Sequence, residues 1–357
     1  MVAVRLCAQR KRLRRLPRSN DIPRGWGREF QAKPTIVEAQ HCPTARMTAT
    51  VTLYQLSSTA GAPTLNVMLS TPATSFLKRD GTAYSVLHWG QRRVFAVLVG
   101  GRKELDLYDL LPAAPWVALL GTICVGDQVQ SIDGFVFTNT PYVMTYAPAS
   151  GQFGFHSVDA AFKLTGTYNY SRSHAPAPTA GFTMTRAFVM ANEIMFMGYS
   201  FDTGSICLYR IAGAATSRGG VPPLVAHTIS DRVWAQGWTR FAFFTLGTEV
   251  FFLKTNIKYP NVNIDHVSDD LARGTSEVCS NMKLTDAKDL AIVEPFYLDH
   301  GHPHFLAYRP DGKLVLYRIH SDCQDWSAIC DLQTPPNAMA MLPGAFGQAG
   351  LTFIHVS

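Results

Sequence analysis

The sequence predicts an all-β fold, a six-bladed β-propeller closed by pairing of its own first and last strands. Two observations carry this. One short pattern recurs about fifty residues apart, and its broken sixth copy is divided between the two ends of the chain. The clearest copies are His304 to Ile319 and Ile194 to Ile211: an apolar run ending in Tyr, a polar turn with Gly, then an alternating run ending in Tyr-Arg-Ile. That is a β-hairpin. Pro141 to Val158 and Val94 to Leu111 repeat it, the latter with Lys103 in the Gly place, and Glu249 to Val267 is a more worn copy. Aligned positions in the last strand are Tyr108, His156, Tyr209, Asp265 and Tyr317, so the steps are 48, 53, 56 and 52 residues. Hairpins at that period indicate radial blades rather than a helical array.

The ends supply the rest. Gly350 to Ser357 reads as the first half of the pattern and Thr50 to Ser58 as the second half. Paired in one blade, they leave neither edge exposed. The repeats span residues 47–357, about 52 per blade for six. In the blade of the clearest hairpin, four strands are expected from the axis outward: Ala291 to Tyr297, His304 to Tyr308, Leu314 to Ile319 and Trp326 to Leu332. Phe241 to Thr245 and Ala187 to Met190 are the inner strands before Val250 to Leu253 and Met195 to Tyr199. Alternation along Lys313 to Tyr317 keeps one face on the neighbouring blade. Ser171 to Phe182 and Ala212 to Pro223, broken by Pro and Gly, are loops.

The formal charge of +6 is uneven. Residues 1–46 hold nine Arg and two Lys against Asp21, Glu29 and Glu38, which is +8, leaving −2 for the repeats. Nucleic acid is therefore not an expected partner of the propeller. The dense Arg10 to Arg15 run allows a nuclear, nucleic-acid or mitochondrial signal, or a disordered leader without function. Pro115 to Gly126, the longest apolar stretch, is too short to span a membrane and reads as a buried strand. An odd seven cysteines without a dense framework point to reduced thiols and a cytoplasmic location. A Cys323–Cys330 pairing across a hairpin is the one candidate bridge. Oligomeric state is not legible.

Several stretches imitate catalytic or metal-binding motifs. Asp202-Thr203-Gly204-Ser205 spells the aspartic-protease tetrad, but it has no second copy and falls on the repeat's turn. His300, His302 and His304 could meet a metal on one face of a strand, yet Gly301 and Pro303 favour a solvated turn, so no metal is expected. There is no phosphate loop, Ser-His-Asp spacing or paired-Cys motif, and no cofactor is expected. A propeller can still assemble an active site from several blades.

The tryptophans are the remaining signal. Trp238 lies just before an inner strand, Trp89 near the equivalent strand of an earlier blade, and Trp116 and Trp326 follow their third strands. An aromatic face beside polar side chains suits a pyranose, whereas repeated aromatics also pack blade on blade. Candidate ligand contacts are Trp89, Trp116, Trp234, Trp238, Arg240 and Trp326.

Gly237-Trp238-Thr239, Phe305 to Tyr308 with Asp311-Gly312 and Leu316 to Ile319, and the Ile194 to Ile211 copy together resemble the repeats of propeller lectins from insect-pathogenic bacteria. Fungal fucose-lectin propellers are a more distant likeness. The resemblance implies binding of fucose or methylated sugars at shallow sites between blades, with a glycan or small molecule as partner and no catalysis. Only one copy keeps Gly-Trp-Thr; the others read Tyr84-Ser85-Val86, Asp133-Gly134-Phe135 and Thr183-Met184-Thr185, which favours one specialised site. The alternative is an enzyme or cyclase acting on an apolar small molecule in the axial funnel, walled by Met184, Met190, Met195 and Met197.

Overall fold

A computed structural model describes residues 50–356, apart from the connecting stretches 58–63, 73–76, 78, 80, 91, 101–102, 112–114, 175, 177–178, 214–221, 228–233, 257–260, 270–273, 283–291, 300–301, 335–339 and 347–349. The leader therefore lies outside the described residues. The chain forms six four-stranded antiparallel sheets and no helix among the described residues. The clasp sheet opens with β1 (Thr50–Ser57) and β2 (Thr64–Pro72). The first blade is β3 (Gly81–Trp89), β4 (Arg92–Val99), β5 (Glu104–Leu110) and β6 (Val117–Cys124). The second is β7 (Ser131–Phe137), β8 (Thr140–Ala147), β9 (Gln152–Val158) and β10 (Leu164–Tyr170). The third is β11 (Met184–Met190), β12 (Glu193–Tyr199), β13 (Ile206–Ile211) and β14 (Leu224–His227). The fourth is β15 (Trp238–Leu246), β16 (Glu249–Asn256), β17 (Asn261–Val267) and β18 (Thr275–Met282). The fifth is β19 (Ile292–Asp299), β20 (His302–Tyr308), β21 (Lys313–Ile319) and β22 (Trp326–Gln333). Finally β23 (Ala340–Phe346) and β24 (Gly350–Val356) complete the clasp in the order β2-β1-β24-β23.

The expected closure is present: β1 runs antiparallel to β24, with Leu53 opposite Ile354 and Val51 opposite Val356. The first strands, β3, β7, β11, β15, β19 and β23, each touch the next, and β23 returns to β3. They form the inner wall of the ring. Turn chemistry explains the hairpins. Thr138-Asn139 and Ala191-Asn192 both hold positive φ, as a two-residue type I′ hairpin turn demands. The repeat's glycine falls where the second turn needs a left-handed residue, with φ of 73° at Gly151, 71° at Gly204 and 89° at Gly312. Asp202 to Ser205 is such a turn, as expected.

Burial departs from the simple alternation expected of β21. Leu314, Val315 and Leu316 are all buried, because each blade is packed on both faces. Leu314 and Leu316 join Tyr54 and Leu56 of the clasp, whereas Phe305 and Ile319 join Phe244, Leu253 and Ile264 of the fourth blade. The apolar β6, expected to be buried, is instead the half-exposed outermost strand of its blade. The two repeated tyrosines are structural. Tyr146 Oη donates to Thr179 O (3.1 Å) and accepts from Phe182 N–H (2.9 Å). Tyr199 Oη donates to Ala235 O (2.8 Å) and accepts from Trp238 N–H (3.3 Å). Each ties a blade to the segment that enters the next. The third-strand tyrosine stacks on the aromatic opposite, as in Phe196–Tyr209 (4.7 Å, 12°) and Phe305–Tyr317 (4.8 Å, 13°). All described cysteines are free, Cys323 and Cys330 included. No helix among the described residues is long and apolar enough to cross a membrane.

If the clasp holds the ring shut, Ile354→Ala should cost about 2–4 kcal/mol in urea unfolding. Val67→Ala, at a position 61% exposed on the same sheet, should stay within about 0.5 kcal/mol.

Candidate functional site

Three places gather polar or aromatic side chains: the inner wall, the seam between the third and fourth blades, and grooves on the rims. On the inner wall, Ser85, Asp133 and Arg186 occupy one register position, each four residues before the end of its strand's pairing with the next. Each reaches the neighbouring inner strand. Ser85 Oγ accepts from Gly134 N–H (2.8 Å), Asp133 Oδ2 accepts from Ala187 N–H (2.7 Å), and Arg186 Nε donates to Phe241 O (3.1 Å). Ser131 Oγ and Thr185 Oγ1 add a bond of 2.7 Å across the second seam. Gly134 permits the first contact, since a Cβ there would meet Leu87 at 3.0 Å and Ser85 Oγ at 3.3 Å. Burial pushes the Asp133 carboxyl above its ordinary range, opposed by Arg186 and by the hydrogen bonds from Ala187, Gly134 and Ser85. These residues were not singled out in the sequence; their shared distance from the hairpin turn is the signal that marks them.

The seam between the third and fourth blades holds the predicted Trp234 and Trp238. Trp238 opens β15 and is buried; Trp234 is half-buried and stacks on Phe252 (6.0 Å, 12°). Beneath them lies Lys254, buried, with Nζ 4.4 Å from the Trp234 ring and 4.7 Å from that of Trp238. Its ammonium donates to Asp265 Oδ2 (2.7 Å) and lies 3.6 Å from Glu277. Burial raises the Asp265 carboxyl, Lys254 lowers it, and Glu277 raises it further. Its Oδ1 is buried without a partner. The predicted Arg240, half-buried on β15 opposite Thr255, falls on the other face of the sheet, the one that carries Ala242, Phe244 and Leu253 toward the fifth blade.

The pattern of replacement is informative. Asp265 and His156 stand where other blades carry the stacked tyrosine, and in both blades the second strand compensates. Lys254 pairs with Asp265, and Thr145 Oγ1 lies 3.1 Å from His156 Nε2; the corresponding residues elsewhere are Val97, Gly198 and Ala307. Thr167 Oγ1 lies 3.3 Å from His156 Nδ1. Burial holds the His156 imidazole down to about 4.

The other predicted contacts are dispersed. Trp89 ends β3; its Nε1 donates to Asn139 O (2.8 Å) and its ring meets Phe162 edge-on, bridging the first and second blades. Trp116, at φ 64°, packs on the apolar cluster between the first blade and the clasp. Trp326 is buried against Phe305 between the fourth and fifth blades. Of the predicted contacts, only Trp234 and Trp238 share a seam. The methionine wall expected for a funnel is interior packing: Met190, Met195 and Met197 are buried with Trp238 and Phe241 between the third and fourth blades, and Met184 flanks them. His304, expected in a solvated turn, is buried in β20, its ring stacked on Phe296 and its Nδ1 2.9 Å from His302 O. His300 lies outside the described residues. Among the described residues, no group of three His, Cys, Asp or Glu is placed to hold a metal ion.

No protein-family model and no curated protein matches the sequence. Solved structures match the fold. A putative 6-phosphogluconolactonase from Bacteroides fragilis is 9% identical, with a TM-score of 0.51 over 84% of this chain and 86% of that one. The periplasmic gluconolactonase PpgL of Pseudomonas aeruginosa is 12% identical, at 0.51 over 84% and 87%. A triple arginine mutant of AofleA from Arthrobotrys oligospora is 8% identical, at 0.51 over 77% and 79%. At such identities the likeness is one of fold.

Two outcomes follow. Unfolded histidine binds its proton near pH 6.5 but buried His156 only near 4, so stability falls as pH drops through that window, by about 1.4 kcal/mol per pH unit at most. Asp133 and Asp265, with raised values, act in the opposite sense; the difference between the parent and His156→Gln in urea titrations at pH 7.5 and 5 isolates the imidazole, and the variant should be the less acid-sensitive. Secondly, Lys254→Met alone should destabilise by about 3–5 kcal/mol by stranding Asp265, and Lys254→Met/Asp265→Leu should recover most of it.

Proposed function

We propose that this propeller is a non-catalytic carbohydrate-binding protein that receives its ligand at the seam between the third and fourth blades. One observation carries the reading. The half-buried Trp234 ring stands at that seam in one segment with the exposed Gln236, an aromatic surface beside a side chain able to hydrogen-bond. Lys254 and Phe252, two residues apart on β16, hold the ring in place from beneath. A pyranose offers an apolar C–H face to such a ring and hydroxyls to the donors around it. Ser85, Asp133 and Arg186 on the inner wall already serve as bonds between blades. A fucosylated or methylated glycan is the first ligand to try, on the likeness of the repeats.

A second reading rests on Asp133, a carboxyl of raised pKa on the inner wall and close to Arg186. Such a pair can hold a proton and steady an anion, the elements of hydrolysis of a small sugar lactone. The fold likeness to the gluconolactonase PpgL and a putative 6-phosphogluconolactonase makes that substrate the natural trial.

On a glycan array the parent protein should be retained on at least one immobilised sugar. Trp234→Ala should reduce retention about tenfold while the protein remains folded by circular dichroism. Hydrolysis of gluconolactone that is lost in Asp133→Asn, with no retention on any glycan, would overturn the lectin reading in favour of the second.

A further inference from the structure

The repeat ends its third strand in Tyr-Arg-Ile, and in the third blade the arginine has an obvious purpose. Arg210 Nη1 donates to Glu193, the first residue of β12, at 2.9 Å. The same two positions are charge-complementary or neutral in the neighbouring blades: Arg92 with Asp109, Thr140 with Ser157, and Glu249 with His266. The fifth blade breaks the rule. Its arginine is Arg318, and the residue in the place of Glu193 is His302. Two groups that can both carry positive charge now stand where the other blades balance theirs, and Arg318 has no ion pair or hydrogen bond among the described residues.

A groove opens at this place. It encloses about 540 Å³, within the range of small-molecule sites, and its lining includes His302, Arg318, His320, Asp322, Ser327 and Ile329. Alternation along β21 puts Leu314 and Leu316 into the apolar cluster with Tyr54 and Leu56, and Arg318 is the next residue on that face. Ser327 lies directly across the ladder from Arg318, and its Oγ is 2.8 Å from His320 Nε2. The loop beyond β21 is held by its backbone, with His320 N–H on Asp325 O (2.9 Å) and Cys323 N–H on His320 O (3.0 Å). Ser327 and His320 are thus held before any ligand arrives. Ile329, 39% exposed, supplies an apolar patch, and Asp322 an acceptor, although its Oδ1 already takes Gln324 N–H (3.0 Å).

We infer that this groove binds a carboxylated sugar of the uronic-acid class, its carboxylate on Arg318 and His302 and its hydroxyls on Ser327, His320 and Asp322. A planar guanidinium matches a carboxylate through two parallel hydrogen bonds, and a C–H face of the ring covers Ile329. The inference deepens the carbohydrate-binding reading but uses a different place, a groove lined by the fifth blade alone.

Calorimetric titration of the full chain tests it, with sodium glucuronate, glucose and inorganic sulfate as the probes. Glucuronate should bind and glucose should not. Arg318→Gln should weaken glucuronate about tenfold or more. His302→Glu, which restores the third blade's ion pair, should do the same with an unchanged Tm. Trp234→Ala should leave glucuronate affinity as it was, which separates this groove from the proposed neutral-sugar seam. Unchanged affinity in both groove variants, or no heat from glucuronate, overturns the site; sulfate binding as tightly as glucuronate overturns its assignment to a sugar.

Discussion

The antiparallel pairing of β1 with β24 is the constraint on which the ring depends. Every blade is packed on both faces by its neighbours, so no sheet has a stable alternative in which it stands alone. With an open ring, two blades would each present an apolar face to water, and the inner strands would lose the contact of β23 with β3. The clasp converts a row of weakly independent sheets into a circle in which each element is buried by two others.

Within that circle the blades differ in one coordinated respect. In the third and fifth blades the third-strand tyrosine stacks on an aromatic of the second strand, and wherever that tyrosine is kept the position diagonally across is Val97, Gly198 or Ala307. Where the tyrosine is replaced by Asp265 or His156, the diagonal residue becomes Lys254 or Thr145. A buried polar group without a partner would cost about 1–3 kcal/mol, so the two positions have to change together. The fifth blade's His302 and Arg318 show the opposite: a pair whose usual balance is absent, at a rim open to solvent.

Much of the architecture was legible in the sequence because repetition amplifies weak signals. A single apolar run ending in Tyr is ambiguous, but the same run before a Gly turn in successive copies is not, and the split copy at Thr50 and Gly350 revealed the clasp. Burial was read less well. β6 looked buried by composition, yet fourth strands sit at the outside of each sheet, and distance from the axis is not encoded in hydropathy. His304 looked like a turn residue because Gly301 and Pro303 flank it, while the strand resumes before it. The tryptophans were assigned by residue type. Trp326 and Trp116 proved to be packing between blades, and the unannounced contacts of Ser85, Asp133 and Arg186 arise from position within the repeat, which residue type alone does not disclose.

The clasp also has a consequence for biosynthesis. β1 finds its partner β24 only after about three hundred further residues have left the ribosome. At ordinary elongation rates of about 5–20 residues per second, the strand waits about 15–60 s with one edge exposed. During that interval the nascent chain holds a hydrogen-bonding template beside growing blades of the same kind, and β2, as the hairpin partner of β1, is the segment that can shield one side of it. Synthesis of β24 therefore ends the period of greatest risk of misassembly between neighbouring nascent chains.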